Sequence, residues 1–153
     1  MERGEATRTP VEQTVIWLEN YREMRRYVNN AVSEAAEVDG YNISAERAYL
    51  KTMRECKAET VILLAHIDKA MQALKEDAAA SKELYKYQAL ESYYIKGLTY
   101  EQISRDLLCG RNSPKRWCRV MIQRLTIKLF GARAIDGTVD RVSIEVKSGA
   151  SDG

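Results

Sequence analysis

The sequence predicts an all-α protein, in which a long N-terminal antiparallel helical hairpin precedes a C-terminal region of shorter helices. The chain of 153 residues contains only two prolines, Pro10 and Pro114, so no obligatory helix breaker lies between them. Apolar residues recur at spacings of three and four over most of that interval, which is the period of an α-helix with one buried face. A hydrophobic content of 45% suffices for a modest core.

The first helix is predicted from Pro10 to about Val38. Proline suits the first turn of a helix, because the N–H that it lacks would have no partner within the helix there. Gly40 then interrupts the pattern, and glycine commonly terminates helices. The apolar residues that line one face of this helix are Val11, Val15, Leu18, Tyr21, Met24, Val28, Ala31, Ala35 and Val38.

A second helix is predicted from Ser44, a favourable N-cap residue, nearly to Ala80. With the first helix it forms a hairpin over residues 10–80. Its length leaves apolar side chains such as Ile62 and Leu64 for a further helix or a second copy of the chain, so we expect either a closed hairpin core or a seam for homo-oligomers or another partner. The predicted apolar stripe is Tyr49, Met53, Cys56, Thr60, Leu63, Ile67, Ala70 and Leu74.

Ser81 is predicted to cap a third helix that ends at Gly97. Leu84, Tyr87, Leu90 and Tyr94 would form its buried face. The tail, residues 134–153, has a different character. It contains a short alternating apolar run between Val139 and Val146, compatible with a brief strand, and a Gly- and Ser-rich end typical of disorder.

The most specific local signal lies directly after Gly97. Thr99 and Gln102 have the spacing of a capping box, in which the threonine hydroxyl accepts from a free helix N–H and the glutamine side chain reaches back to the cap residue. Leu98 and Ile103 flank them where a hydrophobic staple forms. These residues predict a helix that begins immediately after Thr99.

Charge is distributed unevenly along the chain. Between Leu107 and Ile135 there are seven basic residues and no Asp or Glu, whereas the rest of the chain has 17 Lys and Arg against 22 Asp and Glu. One basic face on an otherwise acidic body indicates a phosphate-rich partner. The seven residues are Arg111, Lys115, Arg116, Arg119, Arg124, Lys128 and Arg133.

Together these signals predict a DNA-binding helix-turn-helix within residues 81–133. Such a motif buries apolar residues at fixed separations, so that its second helix stands across the first and leaves its outer face free for the major groove of DNA. The positions that must be buried fall on Ser104, Leu107, Cys109, Pro114, Trp117, Met121 and Leu125.

The outer face of the second helix is polar or basic throughout. We predict that Lys115, Arg116 and Arg119 read bases, because arginine and lysine pair with the acceptors of guanine. The other side chains would hold phosphates. The predicted DNA-binding residues are Arg111, Asn112, Lys115, Arg116, Arg119, Arg124 and Lys128.

The turn between the two helices departs from the usual pattern. Leu108 occupies a position where glycine is common, and Pro114 replaces a branched apolar residue. We therefore expect the second helix to start late, with Ser113 as its N-cap and Pro114 in its first turn, which leaves Arg111 and Asn112 in the turn.

The run from Ala89 to Ile103, ALESYYIKGLTYEQI, resembles the C-terminal promoter-reading region of sigma factors. Trp117 and the LTIKLF run from Leu125 also fit that pattern. The chain resembles the small sigma-like phage regulators of the RinA and ArpU type, specifically over residues 84–130 and only in architecture over residues 11–80. The resemblance implies activation of late or packaging genes in a phage or prophage of a Gram-positive host, through promoter DNA and host RNA polymerase.

The sequence offers no basis for catalysis, a cofactor or a metal site. It has no phosphate-binding glycine loop, no close pairs of metal ligands, and no nucleophile with a partnered histidine. The lack of these motifs predicts a protein that is not an enzyme. Three cysteines are too few for a secreted disulfide framework, so we expect a protein of the reducing cytoplasm, and the resemblance implies that of a bacterial host. Cys118 beside arginines predicts, at most, a redox-sensing thiol of lowered pKa. The longest apolar run is too short to span a membrane.

Two other functions fit the same pattern. The protein could recognise a genome site as an oligomer during phage packaging, as small terminase subunits do, although their helix-turn-helix is usually N-terminal. It could instead be a helical interaction module whose basic helix binds an acidic protein surface, which predicts no complex with DNA at physiological salt.

Overall fold

The structure is a computed structural model that describes residues 7–30 and 43–135, with the backbone alone for residues 43–46. Within these ranges the regular structure is helical and no strand occurs, which confirms the all-α class. The predicted end of the first helix at Val38, the turn at Gly40 and the brief strand between Val139 and Val146 lie outside the described residues.

The described residues form six α-helices, which we number in chain order. They are α1 (Pro10–Glu19), α2 (Tyr21–Asn29), α3 (Ile43–Ala80), α4 (Leu84–Leu90), α5 (Tyr100–Asp106) and α6 (Ser113–Phe130). A π-helical turn, Glu91–Ile95, continues α4, and a 3-10 turn, Gly131–Ile135, follows α6.

The first predicted helix is interrupted at Asn20, so the expectation of one continuous helix there is wrong. The Asn20 side-chain amide donates a 2.7 Å hydrogen bond to the Ile16 carbonyl, and the residue has φ −105° and ψ 6°. Asparagine competes with the helical backbone in this way, and here it ends α1 while its own carbonyl accepts from Met24 at the start of α2. The predicted apolar face survives the break, because Leu18 is buried and its stripe neighbours are half-buried.

The second predicted helix is present as α3, which begins at Ile43 and places Ser44 inside its first turn. Its 38 residues measure about 57 Å at 1.5 Å per residue. Its second half is buried, as predicted, at Ile67 and Leu74. The predicted stripe is wrong in the first half, where Tyr49 and Cys56 are exposed.

Leu64 is also buried rather than available, whereas Ile62 remains 58% exposed. The buried face of α3 is therefore wider than the predicted stripe near its centre, because Leu64 and Met71 are buried beside Ile67 and Ala70. Spacings of three and four residues connect all of these positions, so periodicity alone does not fix the width of the buried face.

The turn between α3 and α4 contradicts the prediction that Ser81 caps the next helix. The Ser81 hydroxyl donates to the Asp77 carbonyl at 2.8 Å, so this residue completes α3. Lys82 takes a left-handed conformation with φ 60°, and the N–H groups of Lys82 and Glu83 return to the carbonyls of Ala79 and Ala78. This Schellman turn moves the start of α4 to Leu84.

One buried cluster joins both halves of the chain, and α6 lies at its centre. α6 contacts α1, α3, α4 and α5, and its Met121 and Leu125 are fully buried. Two buried hydroxyls link the N-terminal and C-terminal parts of the chain: Thr126 donates to Thr14 at 3.0 Å, and Thr14 donates to the Pro10 carbonyl. The long helices and the C-terminal helices thus share a core.

Leu18→Ala tests whether α1 belongs to this core. Leu18 is 1% exposed, so we expect the substitution to lower the free energy of unfolding by about 2–5 kcal/mol, measured by urea denaturation. Val61→Ala, at a residue that is 44% exposed on α3, serves as the control and should cost less than about 1 kcal/mol. Equal losses in the two variants would mean that α1 is not docked.

Candidate nucleic-acid interface

The predicted capping box is present and fixes the start of α5. The Thr99 hydroxyl accepts from the Gln102 N–H at 3.1 Å, and the Gln102 side chain accepts from the Thr99 N–H at 2.8 Å. Gly97, with φ 77°, reverses the chain just before this cap. The prediction that Gly97 ends the preceding helix and Thr99 begins the next is confirmed.

The turn after α5 is held by two backbone hydrogen bonds around a strained leucine. The Leu108 N–H donates to Arg105 and the Cys109 N–H to Ser104, which is the Schellman pattern. Leu108 itself has φ 54°, the left-handed region that favours glycine, and its side chain is 91% exposed. Leu108, which lies at a turn position where glycine is common, therefore adopts the conformation that glycine would take, at a steric cost.

The start of α6 lies one residue earlier than predicted. Ser113 is its first residue and Asn112 its N-cap, so the prediction of Ser113 as the cap is wrong by one position. Pro114 does lie in the first turn, as expected. The Asn112 side chain makes no capping hydrogen bond, which leaves its amide free for an external partner.

One side of α6 packs against the other helices and is buried. Pro114, Met121 and Leu125 are buried as predicted, and Cys118 is buried with them. Trp117 packs edge-on against Tyr85 with ring centroids 4.8 Å apart, which agrees with its prediction as a packing residue. The rotation of α6 about its own axis is therefore set by four positions along one stripe.

The opposite face of α6 and the turn before it carry five exposed residues from the predicted set. They are Arg111, Asn112, Lys115, Arg116 and Arg119. The Arg116 guanidinium lies 3.3 Å from the Ser113 hydroxyl, an exposed contact within the first turn. We call the four cations of this group, Arg111, Lys115, Arg116 and Arg119, the basic face. Within residues 7–30 and 43–135, no carboxylate forms an ion pair with them.

Arg124 and Lys128 lie apart from the basic face, although the sequence grouped them with it. Arg124 pairs with Glu83 at 3.3 Å, and Lys128 pairs with Asp77 at 2.5 Å. Hydrogen bonding from Lys86, together with the Arg124 charge, holds the pKa of the Glu83 carboxyl below its usual value. Both predicted phosphate contacts thus meet carboxylates within the protein.

Three tyrosines pack together beside the basic face, and two of them, Tyr94 and Tyr100, line a hollow with Lys115 and Arg119. Tyr93 stacks on Tyr100 with ring centroids 4.1 Å apart and an interplanar angle of 7°. Burial raises the pKa of Tyr94 to about 12, which extends the pH range over which its phenol is neutral. The half-buried position of Tyr94 agrees with its prediction as a packing residue of the third helix.

A hollow of about 230 Å³ lies between α1 and the basic face, lined by Tyr94, Tyr100, Lys115, Arg119 and Gln123 among others. Gln123 is exposed and follows Lys115 and Arg119 at intervals of four residues. Gln123 is not among the predicted DNA-binding residues, which follow the basic residues of this region. The regular spacing was the signal that could have identified it.

Cys118 does not have the environment of a redox sensor. Its thiol is 1% exposed, and burial raises its pKa to about 12. The prediction of a lowered pKa is wrong because burial disfavours the charged thiolate, and this effect raises the pKa even though Arg119 follows Cys118 in the sequence. Cys56, by contrast, is exposed on α3.

In the part of the chain that the structure describes, no group of three or more His, Cys, Asp and Glu residues is arranged to hold a metal ion. No helix there has an apolar stretch long enough to cross a bilayer. Comparisons with protein-family models, curated proteins and solved structures find no significant match to the chain.

Leu108→Gly should relieve the strain in the turn. Glycine accepts the left-handed conformation without a Cβ clash, so we expect the free energy of unfolding to rise by about 0.5–1 kcal/mol in urea denaturation. Leu108→Ala is the control, because alanine keeps the Cβ. A similar rise in the free energy of unfolding of the alanine variant would mean that the effect comes from removal of an exposed apolar side chain and not from relief of strain.

Burial of Cys118 predicts its reactivity and one alkaline effect. Iodoacetamide should modify Cys56 in the native protein, and Cys118 only after unfolding, as read by mass spectrometry of peptides. Because the folded pKa of about 12 lies above the ordinary value of 9.0, the Cys118 contribution to stability is complete below pH 9 and declines as the pH rises toward 12. Rapid native labelling of Cys118 would contradict its burial.

Proposed function

We propose that this protein is a sequence-specific DNA-binding regulator of transcription, with α5 and α6 acting as a helix-turn-helix. The observation that carries the proposal is the basic face itself. Its four cations lack carboxylate partners among the described residues, while the stripe on the other side of the same helix is buried. A rigid helix with one free cationic side suits the major groove and its flanking phosphates.

The positions along α6 suggest a division of roles. Lys115, Arg116 and Arg119 lie on the first two turns, where a recognition helix contacts base edges. Arg111 and Asn112 lie in the turn before the helix and would hold phosphates. Because Arg124 and Lys128 pair with carboxylates of the protein, the proposal assigns them to the positioning of α6 rather than to DNA.

The long helices have a separate role in this proposal. We interpret residues 10–80 as the predicted hairpin, which positions the helix-turn-helix and offers α3 to a second copy of the chain. Exposed apolar side chains on α3, among them Tyr49, Val61 and Ile62, favour such an association.

The resemblance to sigma-like phage regulators extends the proposal to a biological setting. Under it, the protein activates late genes of a phage or prophage at a promoter, together with host RNA polymerase. The capping box at Thr99 and the Trp117 packing lie within the segment that carries this resemblance.

The proposal is tested with the double variant Arg116→Ala plus Arg119→Ala. Wild-type protein should bind duplexes of roughly 30 bp enriched from a random library, and its log affinity should fall with log salt between about 50 and 200 mM. The variant should bind at least about tenfold more weakly, with a shallower salt dependence, because two contacts are lost. Fluorescence anisotropy of labelled duplex measures both quantities.

Lys51→Ala plus Arg54→Ala is the matched control, since it removes two exposed charges from α3, at least ten residues before the buried Leu64. This variant should bind like the wild type. Equal losses in the two double variants would mean that binding depends on the overall charge of the protein and not on the basic face. Absence of wild-type binding at physiological salt would favour the helical interaction module instead.

A further inference from the structure

A cation on α2 lies against the turn that introduces the helix-turn-helix. The Arg22 guanidinium covers Gly97 so closely that a Cβ built on this glycine would lie 2.7 Å from Nη1 and 2.9 Å from Cζ. Any other residue at position 97 would displace the arginine, in addition to adopting a strained φ of 77°. Gly97 therefore accommodates both the chain reversal and the Arg22 side chain.

The surface around Arg22 continues into the basic face. Arg22 lines a hollow of about 510 Å³ together with Gly97, Thr99, Tyr94 and Tyr100. The same two tyrosines line the neighbouring hollow that contains Lys115 and Arg119. A line of adjacent side chains thus leads from α2, across the start of α5, to α6.

The pairing of charges on α2 distinguishes Arg22 from its neighbours. Arg25 pairs with Asp68 at 2.5 Å, and Arg26 lies 3.4 Å from Glu23. For Arg22, no carboxylate lies within ion-pair distance among residues 7–30 and 43–135, although Glu19 lines the same hollow. Arg22 is thus an exposed guanidinium packed against backbone without neutralisation by a described residue.

We propose that Arg22 binds a DNA phosphate beside the major-groove contact, which extends the interface from α6 onto the N-terminal helices. This inference rests on the proposed function and adds a contact outside the helix-turn-helix. A guanidinium presents a planar set of N–H donors suited to phosphate oxygens, and such contacts are independent of base sequence. Arg22 would fix the orientation of the protein on the duplex.

The test compares Arg22→Gln with Arg26→Gln, which removes the same charge from an exposed position on the same helix. The probe is a duplex of roughly 30 bp of random sequence, because a phosphate contact needs no particular operator. We expect Arg22→Gln to weaken binding about fivefold to tenfold and to reduce the slope of log affinity against log salt by about 0.9. Arg26→Gln should leave both close to their wild-type values.

Arg22→Met is a second neutral variant that keeps an apolar stem over Gly97, and circular dichroism confirms that each variant is folded. If the Gln variant unfolds, the Met variant alone should still reproduce the loss of slope. Wild-type slopes in both Arg22 variants, or equal losses in Arg22→Gln and Arg26→Gln, would overturn this inference while the proposed function stands. Failure of the wild-type protein to bind any duplex would overturn both.

Discussion

The stripe of α6 that contains Pro114, Cys118, Met121 and Leu125 is the constraint on which the rest of the structure depends. Because these side chains are buried against the surrounding helices, α6 cannot rotate without exposing its apolar stripe or burying unpaired cations. The direction in which Lys115 and Arg119 point is therefore a consequence of core packing. Core packing thus fixes the orientation of the basic face, although the exposed side chains of that face are not part of the core.

Charge pairing divides α6 along its length. In its C-terminal half, Arg124 forms an ion pair with Glu83 and Lys128 forms one with Asp77. Both carboxylates lie near the junction of α3 and α4. These exposed pairs add little stability, but they neutralise the part of the helix that lies against the acidic body. The cations of α6 without a carboxylate partner among the described residues therefore lie on its first turns.

Features encoded by neighbouring residues were predicted well. The capping box needs only Thr99 and Gln102 three positions apart, and the structure contains it. The failures arose where short-range alternatives competed, as at Asn20 and Ser81, whose side chains bond backbone carbonyls instead of continuing or starting a helix. Partners distant in sequence, such as Asp77 for Lys128, leave no local pattern, and a run of basic residues gives no indication of which cations are neutralised in the fold.

The hydrogen bond between Thr14 and Thr126 joins residues 112 positions apart, and it has a consequence for biosynthesis. During translation, α1 emerges from the ribosome long before the helix that covers it. Its apolar face lacks its packing partner on α6 until nearly the whole of that helix has been made. Completion of the core and orientation of the basic face are therefore one late event, so a nascent chain that stops short of α6 has neither.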